Sequence, residues 1–229
     1  MESIGKAAVA EFIATFALIF IGAGAVIVGA QAGLVGIALA HGLTLAIMVS
    51  ILAHISGGCV NPAVTIGLWV TGKLETHRTA IYIVAEVAGA IAAAYLLKLI
   101  IPGAVFDGAK GGTPQVVDLE GFGAGKAVLM EAVLTFFLVF AVYGTAVDDR
   151  GPFSKTAGLT IGLVLTFDIL MGGPFTGAAM NPARSLGPAL ASGTWTDWWV
   201  YWIGPIAGGI IAGVVYWGVF LRGKEPATP

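Results

Sequence analysis

The tripeptide Asn-Pro-Ala occurs twice in this chain, at Asn61-Pro62-Ala63 and Asn181-Pro182-Ala183, 120 residues apart. The same offset carries Glu11 onto Glu131, Thr15 onto Thr135, Gly42 onto Gly162, Gly57 onto Gly177 and Gly67 onto Gly187. The chain therefore folds as two copies of one unit, each with a short polar interruption at the same place in an apolar background. The background decides the solvent. Of 229 residues 58% are hydrophobic and 10% charged, with mean hydropathy +0.94, where a soluble domain carries roughly 25% charge. So much apolar surface needs lipid. The net charge of −2 says nothing about partners, but the lack of a basic stripe argues against nucleic acid, and a single cysteine, Cys59, excludes an intrachain disulfide framework. The apolar N-terminal stretch from Ala7 to Ala30 contains Glu11 and is too long for a signal-peptide core, so it reads as a retained helix.

A bilayer core takes about 20 apolar residues per helix. Six segments qualify, at roughly 5–29, 34–54, 79–101, 125–147, 157–173 and 198–221. Two more, at about 61–70 and 181–191, are half that length, and each follows a turn, His54-Ile55-Ser56-Gly57-Gly58 or Phe175-Thr176-Gly177. Re-entrant loops followed by half-helices fit these lengths, since irregular backbone at membrane depth survives only where protein buries it or water lines it. The fold class is thus an all-α membrane protein: six transmembrane helices plus two re-entrant half-helices. Residues 1–229 form one domain, with repeats at about 4–101 and 124–221 joined by a Gly-rich connection, 102–123. Three spans per repeat make the second copy enter from the opposite side, and inverted repeats place a site near the midplane. Lys6, Lys73, Arg78, Arg150, Lys155, Arg222 and Lys224 fall on one side against Lys98, Lys110 and Lys126 on the other. That asymmetry predicts a multi-pass protein of the cell membrane with both termini cytoplasmic. Gly158/Gly162, Gly204/Gly208 and Gly209/Gly213 are pairs at helical spacing that let helices approach closely, either within the bundle or at a subunit interface.

Asn is a good N-cap and Pro suits the first helical position, so each motif reads as a helix start. Inversion brings the two starts together from opposite faces. Each carries roughly half a positive charge, which repels cations, and each Asn amide can donate to a passing molecule. A water oriented by both donors cannot relay a proton onward.

The stretches Asn61-Pro62-Ala63-Val64-Thr65 and Asn181-Pro182-Ala183-Arg184-Ser185 resemble the paired signature of the aquaporins, the major intrinsic proteins. The resemblance covers about residues 4–221 and includes Glu11 and Thr15 of the first span, Glu131 and Thr135 of the fourth, and the His54–Gly58 segment. It implies a homotetramer with one pore per subunit, passive transport of water and small uncharged solutes, no cofactor, no metal and no catalysis. An intramembrane acid taken alone suggests a proton relay or an ion site. The resemblance implies instead that Glu11 and Glu131 accept hydrogen bonds from the re-entrant backbone. It also implies a selectivity filter outside the paired Asn, formed by His41, Ile169, Ala178 and Arg184. Strict water channels of the family mostly carry an aromatic where His41 stands and a histidine where Ile169 stands. The set found here is similar to plant vacuolar-type filters, which pass ammonia or urea beside water, and archaeal members also carry an isoleucine there. The expectation is a water channel that leaks ammonia. The alternative is a glycerol or urea facilitator. In that subfamily an Asp follows the filter Arg, a basic residue lies four positions later and a Pro-Leu pair opens helix six, whereas Ser185, Ala189 and Tyr201-Trp202 stand here.

Further polar residues sit in apolar surroundings. Glu86, where the family more often shows Gln, and Asp168, beside Ile169, read as buried hydrogen-bonded acids or as groups that tune permeation. Cys59 reads equally as a lumen residue or a buried filler, and His54 and His77 as surface groups of the inner side. Trp195, Trp198, Trp199, Tyr201 and Trp202 read as an interfacial belt. A secondary transporter also uses inverted repeats and broken helices, but two helix starts pointing at the centre disfavour a cation site there. No nucleophile–base pair suggests an enzyme.

Overall fold

The structure is a computed structural model and describes residues 2–29 and 32–223; Ala30 and Lys224, used above, lie outside that set. Its helices are α1 (Ile4–Ile27), α2 (Gly33–Ser56), α3 (Pro62–Val70), α4 (Thr76–Ile100), α5 (Gly103–Gly108), α6 (Ala124–Val142), α7 (Ala157–Thr176), α8 (Pro182–Ser192) and α9 (Val200–Tyr216). Five-residue π turns extend α6 to Val147 and α9 to Leu221. Six helices are long and apolar enough to cross a membrane, where a helix satisfies its own backbone and an open strand does not. The two half-helices have 9 and 11 residues. At about 1.5 Å per residue each reaches roughly half of a ~30 Å core. The face carrying residues 102–123 is called outer below, and the opposite one inner.

The segments read as turns before each motif begin as helix. His54-Ile55-Ser56 closes α2 and Phe175-Thr176 closes α7; both helices stop where Gly57 (φ 101°) and Gly177 (φ 79°) turn left-handed. A residue without Cβ takes that conformation at little cost. Tyrosines satisfy the last carbonyls: Tyr82 Oη donates to Ser56 O and Tyr201 Oη to Thr176 O, both at 2.8 Å. This corrects the reading of Tyr201 as part of the interfacial belt. It is 1% exposed, whereas Trp195, Trp198 and Trp199 are exposed at the outer face.

Within each repeat the first helix packs on the second and third, α1 on α2 and α4, α6 on α7 and α9. The repeats join where α2 meets α7. A Cβ at Gly42 would lie 2.5 Å from Gly162 O, and one at Gly162 would lie 2.2 Å from Gly42 O, so this crossing tolerates nothing larger. Gly158 and Gly162 face α2, Gly204 and Gly208 face α6, and Gly209 and Gly213 face α3. All three pairs are thus spent inside the molecule. The half-helices are exchanged: α3 packs on α9 and α8 on α4. Each repeat supplies a wall for the other's half-helix.

Candidate functional site

Asn61 and Asn181 cap α3 and α8 in extended conformation (φ −159° and −152°). Asn61 Oδ1 accepts from Ala63 N at 2.8 Å; Asn181 Oδ1 accepts from Ala183 N at 2.9 Å and Arg184 N at 3.2 Å. Each amide nitrogen then reaches across the repeat boundary. Asn61 Nδ2 donates to Met180 O at 2.8 Å, and Asn181 Nδ2 donates to Val60 O at 2.9 Å. The two helix starts are therefore pinned to one another. An amide carries two N–H donors, so one per Asn goes to the opposite loop and one is left.

Beneath each loop lies a fully buried glutamate. Glu11 accepts from Cys59 N (3.0 Å) and Val60 N (2.6 Å). Glu131 accepts from Ala179 N (3.0 Å), Met180 N (2.7 Å) and Thr176 Oγ1 (2.6 Å). A hydrogen bond to a charged group is worth roughly 1.5–3 kcal/mol net, which offsets the cost of an acid at membrane depth. The bonds also hold strained backbone. Val60 (φ 57°) and Met180 (φ 51°) are left-handed, and for a β-branched residue such as Val60 that is a true outlier. With the amides committed to the glutamates, these stretches can offer a lumen only carbonyl oxygen.

A narrow cavity lies against both loops. His41, Ala178, Arg184, Asn61 and Asn181 line it, as does Cys59. A second space at the outer face, lined by Ile169 and residues of the 102–123 connection, shares Arg184 with the first. Arg184 thus stands between the two. Of the four residues expected as a filter, His41, Ala178 and Arg184 line the first space and Ile169 and Arg184 line the second. Arg184 is 3% exposed and its Nη1 donates to Gly112 O at 2.8 Å. His41 Nδ1 lies 2.9 Å from Ile37 O, an acceptor, which makes Nδ1 the protonated nitrogen. His41 Nε2 and Arg184 Nε find no hydrogen-bond partner among the described residues.

The rest of the wall follows the repeat. Leu18 and Leu138, and Leu45 and Leu165, are equivalent pairs, and all four line the cavity. The symmetry breaks where His41 answers Ile161 and Arg184 answers Val64, so polar side chains gather on the outer half. The 120-residue offset could have found these wall residues. It could not find the ties at the half-helix ends. Lys98 Nζ donates to Ala191 O (2.6 Å) at the end of α8, and Tyr143 Oη donates to Gly67 O (2.9 Å) on α3 while also bonding Thr71. Glu86 accepts from Thr65 Oγ1 at 2.7 Å, its Oε2 without partner among the described residues. Asp168 is buried, with Oδ2 likewise unpartnered there. Neither acid lines the cavity. His54 and His77 are exposed.

Six spans with two half-helices meeting at a central lumen are the architecture of a multi-pass membrane channel. The chain matches the major intrinsic protein family over residues 2–216. It is 47% identical over 232 residues to aquaporin TIP4-4 of Zea mays, covering 96% of this chain and 90% of that relative. To aquaporin TIP2-1 of Arabidopsis thaliana it is 42% identical over 230 residues, covering 96% and 89%. An X-ray structure of the aquaglyceroporin from Plasmodium falciparum shares the fold, with TM-score 0.84 at 23% identity over 96% of this chain and 98% of that one. The chain belongs to the major intrinsic protein family, the aquaporins, and is a channel rather than an enzyme.

Proposed function

We propose that this protein is a passive channel for water that also passes a small neutral solute such as ammonia and excludes protons and ions. The observation that carries the reading is the reciprocal bonding of Asn61 and Asn181 at a shared cavity. It brings two half-helix N-termini, each worth roughly half a positive charge, to one point. A unit cation about 5 Å from both ends meets on the order of 3 kcal/mol of repulsion at an effective dielectric of 20, roughly two orders of magnitude in rate. The remaining N–H of each Asn supplies donors that orient a passing water by its oxygen. The Arg184 guanidinium adds a second positive barrier toward the outer face.

The solute reading rests on the wall. Buried polar groups in proteins are almost always bonded, so unpartnered His41 Nε2 and Arg184 Nε on cavity-lining residues suit a hydrogen-bonding permeant. Ala178 adds little bulk and Ile169 no polarity. We read His41, Ala178 and Arg184 as the constriction and Ile169 as its outer lip, and Glu11 and Glu131 as its loop supports. The termini are assigned to the cytoplasm of a cell on the charge count above. A homotetramer with one channel per subunit accounts for the exposed Val35, Leu39, Leu43, Ile47 and Ile51 of α2, which a neighbour or lipid must cover.

Stopped-flow light scattering on proteoliposomes tests the whole reading. The expected result is water and ammonia flux well above empty vesicles, glycerol flux near background and no proton conductance. Glycerol flux rivalling that of water would favour the facilitator instead, and free proton conductance would remove the mechanism.

A further inference from the structure

We infer that Gly22 of α1 sets the bore of the constriction by seating the His41 imidazole. The inference rests on the placement of His41 at that constriction. Leu18, one turn before Gly22, lines the cavity, and residues four apart share a helix face. Gly22 therefore lies on the cavity-facing side of α1, directly behind the His41 ring that lines the wall. A Cβ at Gly22 would come within 2.5 Å of both Cδ2 and Nε2 of His41 and 2.9 Å of Cγ. The face of the imidazole occupies the space that any other residue's Cβ would fill. Its second restraint is Nδ1–H to Ile37 O at 2.9 Å. Together the two fix ring position and tautomer.

The other repeat supplies an internal comparison. The equivalent of Gly22 is Val142, and the equivalent of His41 is Ile161; both line the inner part of the cavity. Where the first-helix position bears a branched side chain, its second-helix neighbour is a plain aliphatic. Where the first-helix position is glycine, its neighbour carries a ring. The positions trade volume across the wall. A ring without the glycine pocket must stand further into the lumen.

Gly22 is a positioning residue, and the test compares backgrounds. Gly22→Ala is expected to lower water flux several-fold and ammonia flux by a larger factor, changing their ratio. In the His41→Ala background the obstructed ring is gone, so adding Gly22→Ala should leave both fluxes within about two-fold of His41→Ala alone. Equal losses in the two backgrounds, or no change in the native one, would overturn the inference. Size-exclusion profiles cover the remaining outcomes. Misfolding of Gly22→Ala that His41→Ala rescues supports the seating contact; misfolding in both backgrounds overturns it. A His41→Ala protein with the native water-to-ammonia ratio would instead remove His41 from the constriction, which is a distinct failure.

Discussion

At the scale of single residues, the buried glutamates are the most consequential atoms outside the lumen. Glu11→Ala strands the N–H groups of Cys59 and Val60 in a buried loop, at roughly 1–3 kcal/mol each, and frees Val60 from its left-handed conformation. The expected outcome is a lower thermal midpoint in detergent and little or no water flux per folded protein. A stable variant with native flux would show that the loop holds itself. Much of this was legible in the sequence, because an acid repeated at a fixed offset in two apolar helices needs a shared structural reason. The left-handed turns at Val60 and Met180 were not legible. Local preference argues against them, and only the distant carboxylates and the opposite Asn impose them. Nor were the cross-repeat bonds of the Asn amides legible, since Met180 O and Val60 O are far away in sequence.

At the scale of elements, the repeat made the spans and half-helices readable to within a few residues. The limits of that reading are physical too. Tyr82 and Tyr201 do the same work on α2 and α7, but they stand 119 residues apart. A fixed offset of 120 skips the pair and leaves Tyr201 among its tryptophan neighbours. Lys98 looked like an end-of-span charge; it is the cation at the α8 C-terminus, where the helix dipole favours one. Lys98→Met should therefore cost about 1 kcal/mol of stability, seen in thermal unfolding, with flux per folded channel within two-fold of native. The α2–α7 crossing is far less forgiving. Gly162→Ala drives a methyl to 2.2 Å from Gly42 O, backbone that cannot turn aside. A loss of at least ~1–3 kcal/mol is expected from such overpacking, read as aggregation or loss of the monodisperse peak on size exclusion.

At the scale of the whole molecule, the segment after α6 is tied to the end of α9 outside the membrane spans. Arg150 donates to Asp148 through Nε (2.6 Å) and Nη2 (2.5 Å), and Nη2 also reaches Phe220 O (3.1 Å) beyond α9. The Arg150 hydrogen bonds hold the Asp148 carboxyl well below the usual carboxylate range. A depressed folded-state pKa gives stability that is complete above the unfolded value, about 3.9, and is lost as pH falls through the folded one. The tie should therefore be indifferent to pH between 5 and 8. Hydrogen exchange across residues 148–156, corrected for intrinsic rate, is expected to stay slow over that range, and Asp148→Asn to speed it throughout. The exchanged half-helices bear on how such a chain is made. Until α8 and α9 have left the ribosome and inserted, α3 lacks its α9 wall and Val60 O lacks the Asn181 amide that donates to it. A partly synthesised chain holds half a gate and no passage, so the host bilayer stays sealed during biogenesis and opens to water only when the last span is in place.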